Sequence, residues 1–493
     1  MKHAKKFASL LLALVMVFAL ATTAFATGTN SITVKNAVKD QEYKLYKMLD
    51  LVVNDAHTAY SYTVNSAWAD FFKAAEGETP AGKGLTYVNI DAQGYVTWKE
   101  NADVAAFARD AEEFAKNLAA LNTQKASADG DITFSNLEAG YYLVTSTLGT
   151  KATVGTTPGN PNPEIQEKNA APVNVKTVQE DSNDAWGAKN DADIGQTVNF
   201  KTTITAQPGA ENYVFHDKMS NGLTYNNDAK VYTDEAMTQE LAAANYTVNP
   251  TPTPSDGDTF DITFTQDYLN TITAETKLYV KYSATLNENA VVASDGNSNT
   301  SKLGYGDSSN TKYTPESQTK TYTWDFNVFK YTTDGVNETA LSGAKFKLSR
   351  DDKGTDTISL IDITAENATT KTYRVAKTNE NGVTEFEVGS DGKVIIQGLD
   401  ADTYYLTETQ APTGYNKLAS AIKITIDSQG NVKKDPDTTA LANKTVKVEN
   451  KAGTLLPSTG GIGTTIFYIL GSILVVGAVV LLVTKKRMNS AER

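Results

Sequence analysis

The run from Ile466 to Val483 leaves little freedom in how the end of this chain can fold. It holds about 18 predominantly apolar residues, and in lipid every backbone N–H and C=O must be satisfied within the segment, so one bilayer-crossing helix is expected over 464–484. Lys485, Lys486 and Arg487 follow it, and basic residues hold to the cytoplasmic side, which puts the bulk of the chain outside. The other end agrees. Lys2, Lys5 and Lys6 precede an apolar stretch from Phe7 to Leu20, and Ala24-Phe25-Ala26 is a small-residue cleavage site. Residues 1–26 read as an export signal, with Thr27 the first mature residue.

Leu456, Pro457, Ser458, Thr459 and Gly460 stand just before the expected helix. Proline and a small, flexible Thr-Gly pair keep such a segment extended and open to an enzyme. The pentapeptide, the apolar span and the basic tail, in that order, resemble the cell-wall sorting signal of Gram-positive surface proteins. The resemblance implies a membrane sortase, a cysteine transpeptidase, that cuts between Thr459 and Gly460 and holds Thr459 as a thioester.

Between signal and anchor lie about 430 residues, enough for about three domains of ordinary size. The chain has no cysteine, so an exported protein of this composition must take any covalent bracing from chemistry other than disulfides. Its net charge is -13 and its basic residues are scattered, which argues against nucleic acid as a partner. His3, His57 and His216 are far apart and in no metal-ligand spacing, so neither a metal nor a cofactor is expected and His57 and His216 read as structural. No GxSxG, HExxH or glycosidase-like carboxylate pair suggests an enzyme.

The expected fold class is all-β, a row of tandem sandwiches with added helix in the first. In residues 27–172, alternation at Ile32/Val34 and Ile132/Phe134 predicts strands. Val104, Phe107, Ala111, Phe114, Leu118 and Leu121 recur at helical steps, with Asn101 or Asp103 able to cap, which predicts one helix lying on a sheet. Pro158, Pro161, Pro163 and Pro172 mark an extended loop that cannot join a central strand, and it carries Lys168. Residues 173–320 and 321–453 hold many short alternating runs punctuated by Asn221-Gly222, Asn381-Gly382 and Asp391-Gly392, the pattern of β-sandwiches.

A weak internal repeat links the first segment to the third. Gly398-Leu399-Asp400-Ala401-Asp402-Thr403-Tyr404-Tyr405-Leu406-Thr407-Glu408 is similar to Asn136-Leu137-Glu138-Ala139-Gly140-Tyr141-Tyr142-Leu143-Val144-Thr145, with Thr145 at the place of Glu408. Glu408 shares a strand face with Tyr404 and Leu406, Lys330 ends the set Trp324, Phe326, Val328, and Asn450 ends the set Val446, Val448. Three polar groups are thus aimed into one core. An unpaired buried charge costs several kcal/mol, and burial lowers the pKa of a lysine and raises that of an acid, so both can be neutral. A neutral amine beside a carboxamide is a nucleophile beside an electrophile, and a protonated acid between them can shuttle the proton while ammonia leaves. The expected product is a Lys330–Asn450 isopeptide bond with Glu408 as shuttle.

Phe329-Lys330, Leu341-Ser342-Gly343-Ala344-Lys345-Phe346, Tyr405-Leu406-Thr407-Glu408-Thr409-Gln410-Ala411-Pro412-Thr413-Gly414-Tyr415 and Val448-Glu449-Asn450 resemble the collagen-adhesin B-type (Cna-B) domain, the Glu408 block resembling the E-box of Gram-positive pilins. The middle segment resembles a second isopeptide type, the fimbrial D2 domain, which implies a bond from Lys176 to Asn299 with Asp217 as shuttle; Asn174 and Val178 flank Lys176 on its face and leave its direction open.

Lys168-Asn169-Ala170-Ala171-Pro172-Val173 resembles the region of the linking lysine in sortase-assembled backbone pilins, with Gln166-Glu167 where Tyr-Pro is common; Lys176 and Lys151 compete for the role. The resemblance implies a major pilin whose Thr459 is joined to Lys168 of the next copy by a class C sortase. Minor pilins would complete the fibre, and a housekeeping sortase would fix its base to peptidoglycan. A monomeric wall-anchored adhesin and a minor pilin remain the alternatives, and no host ligand is legible.

Overall fold

The computed structural model describes residues 30–54, 59–73, 82–249, 257–306, 311–453 and 462–489. The export signal and the sorting pentapeptide lie outside the described residues. The chain is mostly strand, and three pairs of sheets follow one another along it.

In the first pair, Asn30–Ala37 lies between Gly130–Leu137, antiparallel, and Glu164–Gln166, parallel. The last of these is a strand inside the proline-rich stretch. It sits at the sheet edge, where missing N–H groups cost least, and its partner lies about 130 residues earlier, beyond the reach of local pattern. The opposing sheet is centred on Glu42–Val53 and Gly140–Ser146. Its outer face carries the helix Val104–Ala115, capped by the Asp103 carboxylate on the Ala106 N–H at 2.9 Å. Phe107 and Ala111 are buried against it, but the helix ends at Ala115, and Val104 and Leu121 are exposed rather than part of the buried stripe. The strand Gly140–Ser146 is buried on both faces, one toward the opposing sheet and one toward the helix.

The second pair is built around Thr197–Ala206 and Thr276–Leu286 in one sheet and Asn297–Tyr305 and Val214–Met219 in the other. Strict alternation explains why these segments pair: Val198, Phe200, Ile204 and Ala206 all point inward and meet Phe215, Phe260, Ile262 and Leu303 from the facing sheet. The third pair places Trp324–Thr333 between Lys393–Leu399, antiparallel, and Thr445–Glu449, parallel, and faces them with Lys345–Ser349, Thr403–Gln410 and Ile422–Ile426. The first and last long strands of this sandwich are therefore hydrogen-bonded neighbours.

The end of the chain is a helix, Ile462–Asn489, whose span Ile466–Met488 has mean hydropathy 2.9 and none of that window buried. Among the described residues, none of that window is buried against the sandwiches.

Candidate functional site

Two polar knots lie inside the second and third sandwiches. In the third, Lys330 comes from the strand Trp324–Thr333, and its side chain is wholly buried because it continues the inward face of Phe326 and Val328. Glu408 reaches it from the opposite sheet, Oε1 standing 3.7 Å from Lys330 Nζ. Asn450 follows directly on the strand Thr445–Glu449 and is fixed by its own N–H, which donates to the Tyr331 carbonyl at 2.9 Å. Its Nδ2 donates to Glu408 Oε2 at 3.1 Å and to the Asn416 carbonyl at 2.7 Å. Lys330 Nζ donates to the Val448 carbonyl at 3.0 Å. Burial pushes the Lys330 amine down to about 8, with Glu408 opposing the shift. Glu408 Oε1 and Asn450 Oδ1 are left buried with no hydrogen bond.

The second sandwich likewise assembles a lysine, an acid and an asparagine, from different strands. Lys176 lies in Val173–Gln179, with Val173 and Val175 exposed on one face and Asn174, Lys176 and Val178 buried on the other. Its direction, open in the sequence, is thus inward. Asp217 and Asn299 come from the facing sheet, on neighbouring strands where Asp217 opposes Ser301 and Met219 opposes Asn299. Lys176 Nζ is hydrogen-bonded to Asp217 Oδ2 and to the Tyr282 hydroxyl, and that hydroxyl donates to the same Asp217 oxygen. Asn299 Nδ2 donates to the Tyr282 hydroxyl at 3.3 Å. Burial drives the Lys176 amine down to about 8, raises Asp217 from its ordinary value and holds Tyr282 well above its own. Asp217 Oδ1 and Asn299 Oδ1 are buried and unsatisfied.

Lys168 is exposed, yet the backbone on both sides of it is held. The Glu167 carboxylate is buried, accepting from Ser146 Oγ at 3.0 Å, from Thr150 Oγ1 and from the Asn169 N–H at 2.9 Å. Asn169 Nδ2 donates to the Leu148 carbonyl at 3.1 Å. The competing lysines are not free: the Lys176 side chain is wholly buried, and Lys151 is 15% exposed and paired with Glu112 and Glu211.

The family model described as the Gram-positive pilin backbone subunit 2, Cna-B-like domain, matches residues 194–309, around Asp217 and Asn299. The chain therefore carries a Gram-positive backbone-pilin domain. A prealbumin-like fold domain, SpaA, matches residues 327–440 of this pilin and covers Lys330 and Glu408. The LPXTG cell wall anchor motif matches 448–490, so the pilin is a wall-anchored surface protein and sortase substrate whose precursor is held in the membrane. No curated protein sequence matches it. Its fold is similar to that of the T6 backbone pilin of serotype M6 Streptococcus pyogenes, with 17% identity and a TM-score of 0.53 over 82% of this chain and 81% of that one. The full-length major pilin SpaD of Corynebacterium diphtheriae gives 17% and 0.46 over 86% and 98%. RrgB of Streptococcus pneumoniae gives 15% and 0.45 over 88% and 100%.

The pilin's sequence did not single out Tyr282, although Leu278, Val280 and Tyr282 alternate and place its hydroxyl inward. The residue at the place of Glu408 is also corrected. The inward face of Gly140–Ser146 is Tyr142, Val144 and Ser146, matching Tyr404, Leu406 and Glu408, whereas Leu143 beside Thr145 packs toward the helix. Ser146, not Thr145, is the counterpart of Glu408.

Proposed function

We propose that this pilin is the structural backbone subunit of a covalent pilus, each Thr459 joined to Lys168 of the next copy, with each subunit braced by Lys330–Asn450 and Lys176–Asn299 bonds. The domains in this reading are 27–172, 173–320 and 321–453. The observation that carries it is Lys168: an exposed amine on a backbone held at Glu167 and Asn169 presents a nucleophile at a fixed place, while Lys151 is ion-paired with Glu112 and Glu211 and Lys176 is buried. The Lys168 amine attacks the Thr459 thioester, the sortase thiol leaves, and an amide forms between copies. A class C sortase fits this polymerising step, and a housekeeping sortase with minor pilins fits the ends of the fibre.

The internal bonds close once per molecule. The buried lysine, pushed down to about 8, is neutral in roughly one molecule in ten at pH 7. Its Nζ attacks the asparagine Cγ, the bond from Cγ to Nδ2 breaks, and ammonia departs with the amine's proton carried by Asp217 or Glu408. Burial raises Asp217, and a proton on it gives a partner to the unsatisfied oxygens of Asp217 and Asn299, polarising the carboxamide under attack. In the third sandwich the bond joins first strand to last, so tension passes through a covalent link.

The test is a blot of wall extract boiled in detergent. A ladder of high-mass bands that collapses in a Lys168→Ala strain is expected. A ladder that survives moves the linking lysine elsewhere, and a single band in the wild type makes the protein a wall-anchored monomer.

A further inference from the structure

His216 lies between Asp217 and Phe215, so its side chain points out of the second sandwich while theirs point in. Directly opposite it on the neighbouring strand is Asp261, and the turn before that strand supplies Asp258. His216 Nδ1 is 3.0 Å from Asp258 Oδ2 and 2.9 Å from Asp261 Oδ1, and the three possible ligand atoms all lie within 4.8 Å of one another. The group is largely withdrawn from water, with side-chain exposures of 11%, 7% and 15% for His216, Asp258 and Asp261.

One nitrogen faces two carboxylate oxygens, and a ring N–H can serve only one of them well. The hydrogen bond goes to Asp258, and Asp261 Oδ1, shielded from solvent, receives none. Lys302, across the sheet from His216, is turned onto the Tyr313 ring at 4.7 Å instead. Two acids and one imidazole converging on one point are a ligand set for a divalent cation, and the mixture of nitrogen and oxygen favours a first-row transition ion over Ca²⁺. The spacing agrees. Bonds of about 2.1 Å set the edge of an octahedron at about 3.0 Å and that of a tetrahedron at about 3.4 Å.

We propose that His216, Asp258 and Asp261 form a six-coordinate site for a divalent transition-metal ion, of which Mn²⁺ is the probe. This revises the expectation of no metal drawn from histidine spacing, because the ligands come together across a strand pair and not along the chain. The ion would tie the strand Val214–Met219, which also carries Asp217, to the turn at Asp258.

The mature ectodomain, 27–453, contains only His57 and His216. Produced with a non-histidine tag and labelled at histidine, it gives two imidazole NMR signals. Near-stoichiometric Mn²⁺ should broaden the His216 signal away and leave that of His57, Asp261→Asn should abolish the effect, and Ca²⁺ at the same concentration should change neither. An unaffected His216 signal, equal broadening of both, or broadening that persists in a folded Asp261→Asn protein overturns the site; a Ca²⁺ response at His216 overturns the choice of ion. If Asp261→Asn does not fold, the wild-type pair of signals decides alone.

Discussion

Tyr142 and Tyr404 make the same bond in different sandwiches: each hydroxyl donates to the main-chain carbonyl four residues earlier, Glu138 at 2.6 Å and Asp400 at 2.8 Å. This pins one strand to the other and carries the comparison further. The Glu167 N–H donates to the Lys35 carbonyl as the Asn450 N–H donates to that of Tyr331, each just past a short strand parallel to the first strand. The first sandwich therefore has Val34 at the station of Lys330, Ser146 at that of Glu408 and Glu167 at that of Asn450. Hydrogen bonds to a buried carboxylate close there what we propose an amide closes in the third sandwich.

The first prediction concerns mass. The ectodomain should lack two ammonia equivalents and no more, because the first sandwich has neither amine nor carboxamide at its stations. Lys330→Ala and Lys176→Ala should each restore one. Ser146→Glu should restore no chemistry, since Val34 has no amine to offer. Intact mass spectrometry decides it, and an unmodified wild-type mass would remove both bonds.

Much of this was legible in sequence because strands alternate: Lys330 and Asn450 each end an apolar face, and a polar residue in that place demands an explanation. Tyr282 was not, since a tyrosine is at home in any strand and its hydroxyl becomes meaningful only when Asp217 and Asn299 arrive from the other sheet. The slip between Thr145 and Ser146 arose because Gly140–Ser146 is buried on both faces, so burial alone could not say which face was the sandwich core. The His216 cluster and the strand Glu164–Gln166 depend on pairing across strands, which local spacing does not record.

Tyr282→Phe should slow closure of the Lys176–Asn299 bond without abolishing it. The hydroxyl holds Lys176, Asp217 and Asn299 on one oxygen, but the acid remains when it is gone. A loss of about one to two orders of magnitude in rate is expected, smaller than the roughly 10²–10⁴-fold of removing a general acid–base group itself. Ammonia loss followed by mass after refolding would show it. An unchanged rate would leave Tyr282 a packing residue, and Asp217→Ala should give no bond at all.

The buried lysines predict a pH dependence whose sign can be worked out. In Asn450→Ala the amine of Lys330 stays free, with a folded value of about 8 against an unfolded one of about 10.4. Between those values the unfolded chain binds more protons, so the stability of the variant should rise with pH from about 8 to about 10.4 and lose that gain below. Adding Lys330→Met should flatten the slope, as should the wild type, where the amine is consumed in an amide. Denaturant unfolding of the third sandwich across this range is the measurement; equal slopes in single and double variants would mean Lys330 is not buried as an amine.

Glu408→Ala should leave Lys330 and Asn450 unjoined and also strand the amine in the core. Glu408 Oε2 accepts from the Leu418 N–H at 2.8 Å as well as from Asn450, so its removal frees two donors at once. Breaking a buried pair from one side costs about 3–5 kcal/mol, a large share of the net stability of a domain. Limited proteolysis should then cut the third sandwich early while the second, with its own acid, resists. Cleavage of both at the same rate would place the effect in the whole chain and not in this core, and a mass still short of two ammonia equivalents would show that the bond closes without Glu408.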